Sequence, residues 1–427
     1  MTEHTTCAVI GGGPAGMVLG LLLARAGVDV TVLEKHADFL RDFRGDTVHP
    51  STLRLLDDLG LGERFTRLPQ TTLTEIAFPS GDGERVVVGD LNRLRRIRYP
   101  YPYIAITPQW DFLNLLAEAA AEETTFSLRM RAEVTELVRD ARRVRGVRYR
   151  ADDGTTRTLL ADVTVACDGR WSSARTQAGL RPRESPVPLD VWWFRLGREP
   201  GTGPQTLTPT MRDGRFAIVI PRHDYFQIAY VAKKGIDPLL RRRGIAAFRE
   251  EIATTLPELA EQVDELTTMD RVKHLDVRLN RLPRWHVDGL LCIGDAAHAM
   301  SPIGGVGVNL AVQDAVAAAR VLAAPLRRGK VTSATLASVR RRRLLPTVVV
   351  QGLQRALHHL IIAPVVEGRR TGPPKPVLRL LRRAPWLSIV PAYLIGVGPR
   401  PERAPAFARR PATSTAGDDL KRPEPGS

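Results

Sequence analysis

The first stretch able to do chemistry is Gly11-Gly12-Gly13-Pro14-Ala15-Gly16. Glycine at position 11 permits a tight turn, Gly13 lets a pyrophosphate approach the backbone, and Gly16 lets a helix pack closely on a strand. Free N–H groups and the positive end of the following helix would then face the phosphates. Glu34 lies 18 residues after Gly16, where an acid can accept hydrogen bonds from an adenosine ribose. The elements needed to position these residues are legible around them. Cys7 to Ile10 predicts a buried parallel strand, the helix pattern runs from about Ala15 to Ala26 and stops at Gly27, and Val28 to Leu33 predicts a second strand. Strand, glycine turn, helix, strand and terminal acid together read as a dinucleotide site.

Two more strand-end motifs carry potential chemistry. Val163 to Ala166 runs into Cys167-Asp168-Gly169-Arg170-Trp171-Ser172-Ser173-Ala174-Arg175, a D-G-x-x-S-x-x-R pattern. Leu290 to Ile293 runs into Gly294-Asp295-Ala296-Ala297-His298, then Pro302, Gly304, Gly305, Gly307, Val308 and Asn309, with Asp314 beyond. Asp295 at a strand end can bind a ribityl or ribose hydroxyl or cap a helix. The three glycines clear side chains where a flat ring could approach. A helix beginning near Val308 and running to about Ala324 would aim its N–H groups at that ring and favour negative charge on it. His298 reads as a residue that packs and bonds locally. His49, before Pro50, reads either as facing a ligand or as a helix entry.

These motifs, in this order, resemble the class A flavoprotein monooxygenases typified by p-hydroxybenzoate hydroxylase, over about residues 7–330. The resemblance implies an α/β fold: a GxGxxG Rossmann-like FAD-binding domain, an inserted β-sheet substrate domain and a C-terminal helical tail. On this reading FAD binding falls to 1–72, 101–185 and 281–345, the substrate sheet to 73–100 and 186–280, a helical region to 346–398 and a disordered end to 399–427. It further implies that Gly11, Gly13, Pro14, Ala15, Gly16, Glu34 and Lys35 hold the adenosine diphosphate half of FAD. Asp168, Gly169 and Arg175 would shape the pyrophosphate and pyridine-nucleotide region, and Asp295 would bind the ribityl or pyrophosphate. Gly305, Gly307, Val308 and Asn309 would face the isoalloxazine, with Pro302 beside the carbon that carries the peroxide. Arg44 and Gln109 match on position alone, Arg44 near the flavin and Gln109 at the FAD phosphate or ribose; Arg44 and Pro302 are the residues assigned to catalysis. The implied activity is NAD(P)H- and O2-dependent hydroxylation or epoxidation of an aromatic, polyketide-like or isoprenoid small molecule through a C4a-hydroperoxyflavin. The alternatives are a related reductase or halogenase, the latter disfavoured because W-x-W-x-I-P is absent, and a flavin-bound membrane-associated protein without turnover.

Elsewhere, Leu189 to Leu196, Phe216 to Ile220 and Tyr225 to Val231 predict strands, and about Ile245 to Leu256 a helix. Adjacent Trp192 and Trp193 must face opposite sides of their strand. The 427 residues, 43% hydrophobic and 25% charged, fit a globular chain of two or three modules. Only 3 cysteines occur, Cys7, Cys167 and Cys292, each in an apolar run, so they read as small buried hydrophobes and not as a disulfide framework, metal knuckle or nucleophile. No metal-ligand spacing is present. The polar start, Met1 to Thr6, does not read as a signal peptide and points to the cytoplasm.

The net charge of +16 is concentrated at one end. Residues 320–427 hold 21 Lys/Arg against 5 Asp/Glu, while the rest hold 41 of each. The body therefore does not read as nucleic-acid-binding, and a basic C-terminal region could make a weak peripheral contact with a membrane. Val349, Leu353, Leu357 and Leu360 share one helical face, with Gln351, Arg355, His358 and His359 opposite, which reads as a helix covering the core or a subunit contact, the alternative being an amphipathic region lying on a membrane.

Overall fold

The computed structural model describes residues 2–40, 47–79, 85–199, 203–204, 207–212, 214–370 and 374–411. The chain enters as β1 (Thr2–Ile10), α1 (Pro14–Arg25) and β2 (Val30–Leu33). Arg25 and Ala26 close α1 one residue before Gly27, whose φ of 70° suits only glycine readily. The central sheet is built on parallel pairing in the order Leu290–Cys292, Thr156–Ala166, β1, β2, Phe126–Arg129. An antiparallel hairpin, Glu133–Asp140 with Arg143–Arg150, leans on the long Thr156–Ala166 strand. The apolar end of β1, Cys7 to Ile10, shares the main core with α1, whose residues Ala15 to Ala24 are all buried.

Helices α2 (Pro50–Asp58), α3 (Gly62–Thr66), α4 (Gln109–Ala121) and α5 (Ser173–Gln177) follow along the chain. The second sheet is antiparallel, ordered Thr208–Arg212, Arg215–Pro221, Tyr225–Lys233, Leu189–Gly197, Lys273–Leu275. Its outer face is covered by α6 (Asp237–Thr255), which breaks at Gly244 (φ 79°), so the expected helix from Ile245 has a further segment before it. Trp192 packs on that side, stacked on His274 at 5.1 Å and donating to Asp237 at 2.8 Å. Trp193 faces the other way and packs, as Ile218 and Ile303 do, against the cluster of Leu189, Val191 and Ile362. The hairpin Glu75–Pro79 with Arg85–Asp90, expected to join the substrate sheet, forms its own two-stranded sheet among the described residues.

Helix α7 (Val306–Arg327) begins two residues earlier than expected, because Gly305 in a left-handed conformation (φ 65°) caps it. By length and composition α7 could cross a membrane, but it lies against α1 in the core. Then come α8 (Ser333–Leu357), extended by a π-turn at His358–Ile362, α9 (Ala363–Val366), α10 (Lys375–Arg383) and α11 (Ile389–Gly396).

Two expectations about this region are corrected. The faces of α8 and its π-turn do not split as expected: Arg343, Gln351, Gln354 and His358 form a buried polar stripe although Arg355 and His359 are exposed, while Val349, Leu353 and Leu357 are only half-buried and Leu360 is 58% exposed. The reason is that α8 covers loop backbone whose N–H and C=O groups need partners that leucines cannot supply. Residues 399–411, assigned to a disordered end, are instead packed on the body. Arg403 donates twice to Asp58 (2.8 and 2.7 Å), Arg342 twice to Glu402 (2.5 and 2.8 Å), and Arg25 to the Ala408 carbonyl (3.0 Å). Ala404 and Ala408 are fully buried in the main core. A composition that reads as unstructured is here spent on charge-assisted pairs. Residues 412–427 lie outside the described residues.

Candidate active site

Strand register brings the three motifs together. Ile10 pairs with Leu33 on one side and Ala166 on the other, and Ala166 pairs with Cys292. The residues that follow, Gly11, Glu34, Cys167-Asp168 and Ile293-Gly294, therefore leave the sheet at one level, at the carboxyl ends of parallel strands where open α/β sheets bind ligands.

Two glycines of the first motif stand where turn conformation and close approach demand them. Gly11 has φ 100°, and a Cβ there would stand 2.7 Å from the Cys167 carbonyl oxygen. A Cβ on Gly16 would stand 1.9 Å from the Gly11 oxygen, so only glycine lets α1 cross the turn. Around Gly13, by contrast, no protein atom comes within 4 Å of such a Cβ. Pro14 occupies the first helical position and Ala15 packs against Gly294, a Cβ on which would meet the Ala15 Cβ at 3.4 Å. Glu34 is 8% exposed; one carboxylate oxygen accepts the Gly12 N–H at 2.8 Å, the other the His36 N–H at 3.1 Å and His36 Nδ1 at 2.5 Å. Lys35 is exposed, and Gln109 is half-buried at the first position of α4. Arg44 lies outside the described residues.

The second motif braces the third. Ser172 caps α5 by accepting the Arg175 N–H at 3.0 Å, and Asp168 Oδ2 accepts the Ala174 N–H at 3.2 Å. Asp168 Oδ1 is closed off from solvent with no partner, and burial raises the carboxyl pKa above its usual range. Gly169 (φ 81°) has no protein atom within 4 Å of a Cβ position. The Arg175 guanidinium is buried and donates to the carbonyls of Ala296 (3.1 Å) and Arg170 (2.8 Å), so it shapes the loop through backbone instead of presenting a charge. Arg170, which sequence reasoning passed over as a variable position, reaches Asp295 at 3.7 Å.

In the third motif, Gly294 donates to Asp314 at 3.2 Å, and Asp314 also takes His298 Nε2 (2.5 Å) and Arg343 Nε (2.9 Å). Burial works to raise the Asp314 pKa, but His298 and Arg343 outweigh it and hold the carboxyl below its ordinary value. His298 is thus a buried structural partner. Pro302 accepts the Gly305 N–H at 3.0 Å, closing the turn that leads into α7. Thr47 Oγ1 donates to the Gly305 carbonyl at 3.0 Å, and a Gly305 Cβ would stand 2.5 Å from that oxygen. Gly307 and Val308 fall in the first turn of α7; a Gly307 Cβ would meet only Met300 Cβ, at 3.7 Å. The Asn309 side chain is buried and its Oδ1 accepts hydroxyls from Ser51 (3.1 Å) and Thr52, so it ties α7 to α2.

His49 caps the entry to α2, fully buried, with Nδ1 donating to the Ile395 carbonyl at 2.8 Å; burial pushes its pKa down to about 4. From α8, Gln354 bonds Ser301 and the Ile303 carbonyl (2.9 Å), His358 meets Ser301 Oγ at 2.9 Å, and Gln351 donates to the Asn280 carbonyl at 2.7 Å. The signal for this clamp was in the sequence, as polar positions 343, 347, 351, 354 and 358 on one helical stripe. The three cysteines are free thiols whose burial pushes their pKa values up, Cys7 to about 12, as inert small hydrophobes. Among the described residues no cluster could hold a metal.

Comparison with known proteins gives consistent findings. The family described as "FAD binding domain" matches residues 4–352. The chain is 36% identical to 6-methylpretetramide 4-monooxygenase of Streptomyces rimosus, over 80% of each chain. It is 28% identical to protoasukamycin 4-monooxygenase of Streptomyces nodosus subsp. asukaensis, over 76% of this chain and 81% of that one. The structure superposes on anhydrotetracycline hydroxylase OxyS of Streptomyces rimosus with a TM-score of 0.72 and 26% identity, covering 92% of this chain and 76% of that one.

Proposed function

The chain belongs to the FAD-binding family of class A flavoprotein monooxygenases, and from that premise we propose that it hydroxylates an electron-rich ring of an aromatic, polyketide-like small molecule with NAD(P)H and O2. The observation that carries this reading is the common level at which Gly11, Asp168 and Gly294 leave three adjacent parallel strands.

The residues fit FAD. The N–H groups of Ala15 and Gly16, at the start of α1 beside uncrowded Gly13, would take the pyrophosphate. Glu34 would accept from the adenosine ribose, at the strand end where it also fastens Gly12 and His36. Asp168, with one orphaned oxygen, and Asp295, steered by Arg170, would border the pyrophosphate and ribityl chain. The first N–H groups of α7, at Val306, Gly307 and Val308, would favour negative charge on the ring. Bound FAD supplies the two-electron chemistry by which O2 is activated. The protein's work is placement and exclusion of water: Pro302 and Ile303 are held by α8, and Ile303 shares an apolar cluster with Trp193 and Ile218 of the second sheet. These half-buried apolar side chains, where the sheet meets the loop, suit a flat ring.

The relatives support the substrate class: one is a 4-monooxygenase of 6-methylpretetramide and another a 4-monooxygenase of protoasukamycin. The test is aerobic incubation of the FAD-loaded enzyme with NADPH or NADH and a panel of fused-ring phenols, read by mass spectrometry with isotope-labelled O2. Gain of one labelled oxygen atom, coupled to nicotinamide oxidation, is expected. Nicotinamide oxidation giving a reduced or halogenated product instead would replace the reading. The same proposal places the enzyme in the cytoplasm with a weak peripheral membrane contact through its basic C-terminal region, supported by the exposed arginines of α10.

A further inference from the structure

Two stretches far apart in sequence share an unusual composition. Residues 91–98 (LNRLRRIR) and 375–398 contain no Asp or Glu, and both mix arginine with large apolar residues. The fold puts them side by side. Residues Leu91 and Leu94 of the first join Ala392 and Val397 of the second in one cluster. A Cβ on Gly396 would stand 2.9 Å from Leu91 Cδ2, and one on Gly89 would stand 3.7 Å from the Ala392 nitrogen. Helix α10 and the turn after it, Pro385–Ser388, lie on the Arg85–Asp90 strand that leads into the first stretch.

Each stretch turns one face inward and leaves the rest in solvent. From the first, Arg95, Arg96, Ile97 (50%) and Arg98 are exposed. From the second, Val377 (43%), Leu380 (55%), Trp386 (59%) and Val390 (50%) are exposed together with Arg379, Arg382 and Arg383. Large apolar side chains this open are costly in water unless something covers them. Among the described residues of the adjoining hairpin, the acids Glu75 and Asp90 pair across its strands, and Asp90 is engaged by Arg93 at 3.0 Å.

We infer that residues 91–98 and 375–390 form one composite surface that docks on an anionic lipid bilayer. Its arginines would lie at the headgroups and Trp386, Leu380, Val377, Val390 and Ile97 at the acyl boundary. The mixture is that of an interfacial segment: cationic, acid-free, with aliphatic residues and a tryptophan whose ring suits the interface. The inference rests on the peripheral contact proposed above and adds that the contact is made jointly. It also has a functional reading, because α11 connects this surface to the active-site loop: Ile395 receives the His49 hydrogen bond and lies 4.0 Å from a Gly304 Cβ position. A hydrophobic substrate could then be taken from the bilayer.

The test is cosedimentation of the full-length, FAD-loaded protein with phosphatidylcholine vesicles, with and without phosphatidylglycerol. Binding is expected only with phosphatidylglycerol and should fall with salt. Arg95, Arg96 and Arg98 changed together to Gln, and separately Arg379 and Arg383 to Gln with Trp386→Ser, should each weaken it. Near the surface each arginine is worth roughly a factor of five, so the first triple variant should lose about a hundredfold. Both variants should keep their flavin and melting temperature, since these side chains are exposed. Absence of wild-type binding to anionic vesicles would overturn the peripheral contact itself. Wild-type binding that the first variant leaves intact and the second abolishes would overturn only the composite surface. A dimer that forms without vesicles and that Trp386→Ser disrupts would assign the surface to a second copy of the chain and overturn the inference.

Discussion

Gln354 holds Ser301 from both ends of its peptide: its Oε1 accepts the Ser301 N–H at 3.2 Å and its Nε2 donates to the Ser301 carbonyl at 2.8 Å. The loop carrying Pro302 is therefore set by a helix that begins some thirty residues later and would not be suspected from the motif alone. Replacing Gln354 by Leu leaves buried backbone groups unpaired, which costs about 1–3 kcal/mol each at most. The expected result is a lower melting temperature and a shifted flavin absorption spectrum, because the loop beside the ring relaxes. Gln354→Glu, which keeps an acceptor for the Ser301 N–H but sets a carboxylate oxygen against the Ser301 and Ile303 carbonyls, should shift the spectrum at least as far. A spectrum unchanged in Gln354→Leu would mean that the loop is held without α8.

Glu34 performs two tasks, fastening Gly12 and His36 and facing the site proposed for ribose. Glu34→Ala should weaken FAD binding by about 1.5–3 kcal/mol, the scale of hydrogen bonds to a charged group. Titration of the apoprotein with FAD, followed by quenching of flavin fluorescence, reads this directly. Affinity equal to the parent would remove Glu34 from the cofactor site.

Two glycines with nearly equal backbone angles separate strain from collision. Gly305 (φ 65°) and Gly329 (φ 61°) both flank α7, but a Cβ on Gly305 would stand 2.5 Å from Thr47 Oγ1, whereas one on Gly329 meets no atom within 4 Å. Alanine at either should cost about 1–2 kcal/mol for the left-handed conformation. Only Gly305→Ala should also lose flavin, because Thr47 must leave the Gly305 carbonyl and the cap of α7 shifts. Equal flavin content in the two variants would show that this cap does not govern cofactor binding. Gly307→Val is the milder probe, since its Cβ has ordinary contact with Met300 and only the added methyls reach beyond it.

Burial holds both His49 and His358 at a pKa of about 4, below the roughly 6.5 of an exposed imidazole. Both are neutral in the folded protein, while the unfolded chain takes up protons below about pH 6.5. Their contribution to stability is therefore flat above that pH and falls as pH drops from about 6.5 toward 4, by at most about 1.4 kcal/mol per pH unit for each histidine. Melting curves between pH 8 and 5, about the window these shifts define, should show the fall. His49→Gln, which keeps a donor for the Ile395 carbonyl, should make it shallower. A slope unchanged in that variant would assign the acid sensitivity elsewhere.

Much of the site was legible in the chain itself, and for a local reason. Gly11, Gly16 and Gly305 are demanded by backbone conformation or close approach within a short span, and alternation of apolar runs with glycine turns announces parallel strands before their partners are known. The mutual level of the three motifs was not legible, because it depends on the register Ile10–Ala166–Cys292, set by strands more than a hundred residues apart. Nor was the inward direction of the stripe Arg343, Gln351, Gln354 and His358 legible: spacing marks the stripe, but whether it turns in depends on what lies beneath. Here that is the backbone of Asn280 and Ala299 to Ile303, which apolar side chains cannot satisfy. The same holds for residues 399–411. Their arginines look unstructured in sequence, and only the fold supplies Asp58 as an acceptor for Arg403 and Arg342 as a donor to Glu402, since a charge pair between distant segments exists only once tertiary structure brings its members within reach.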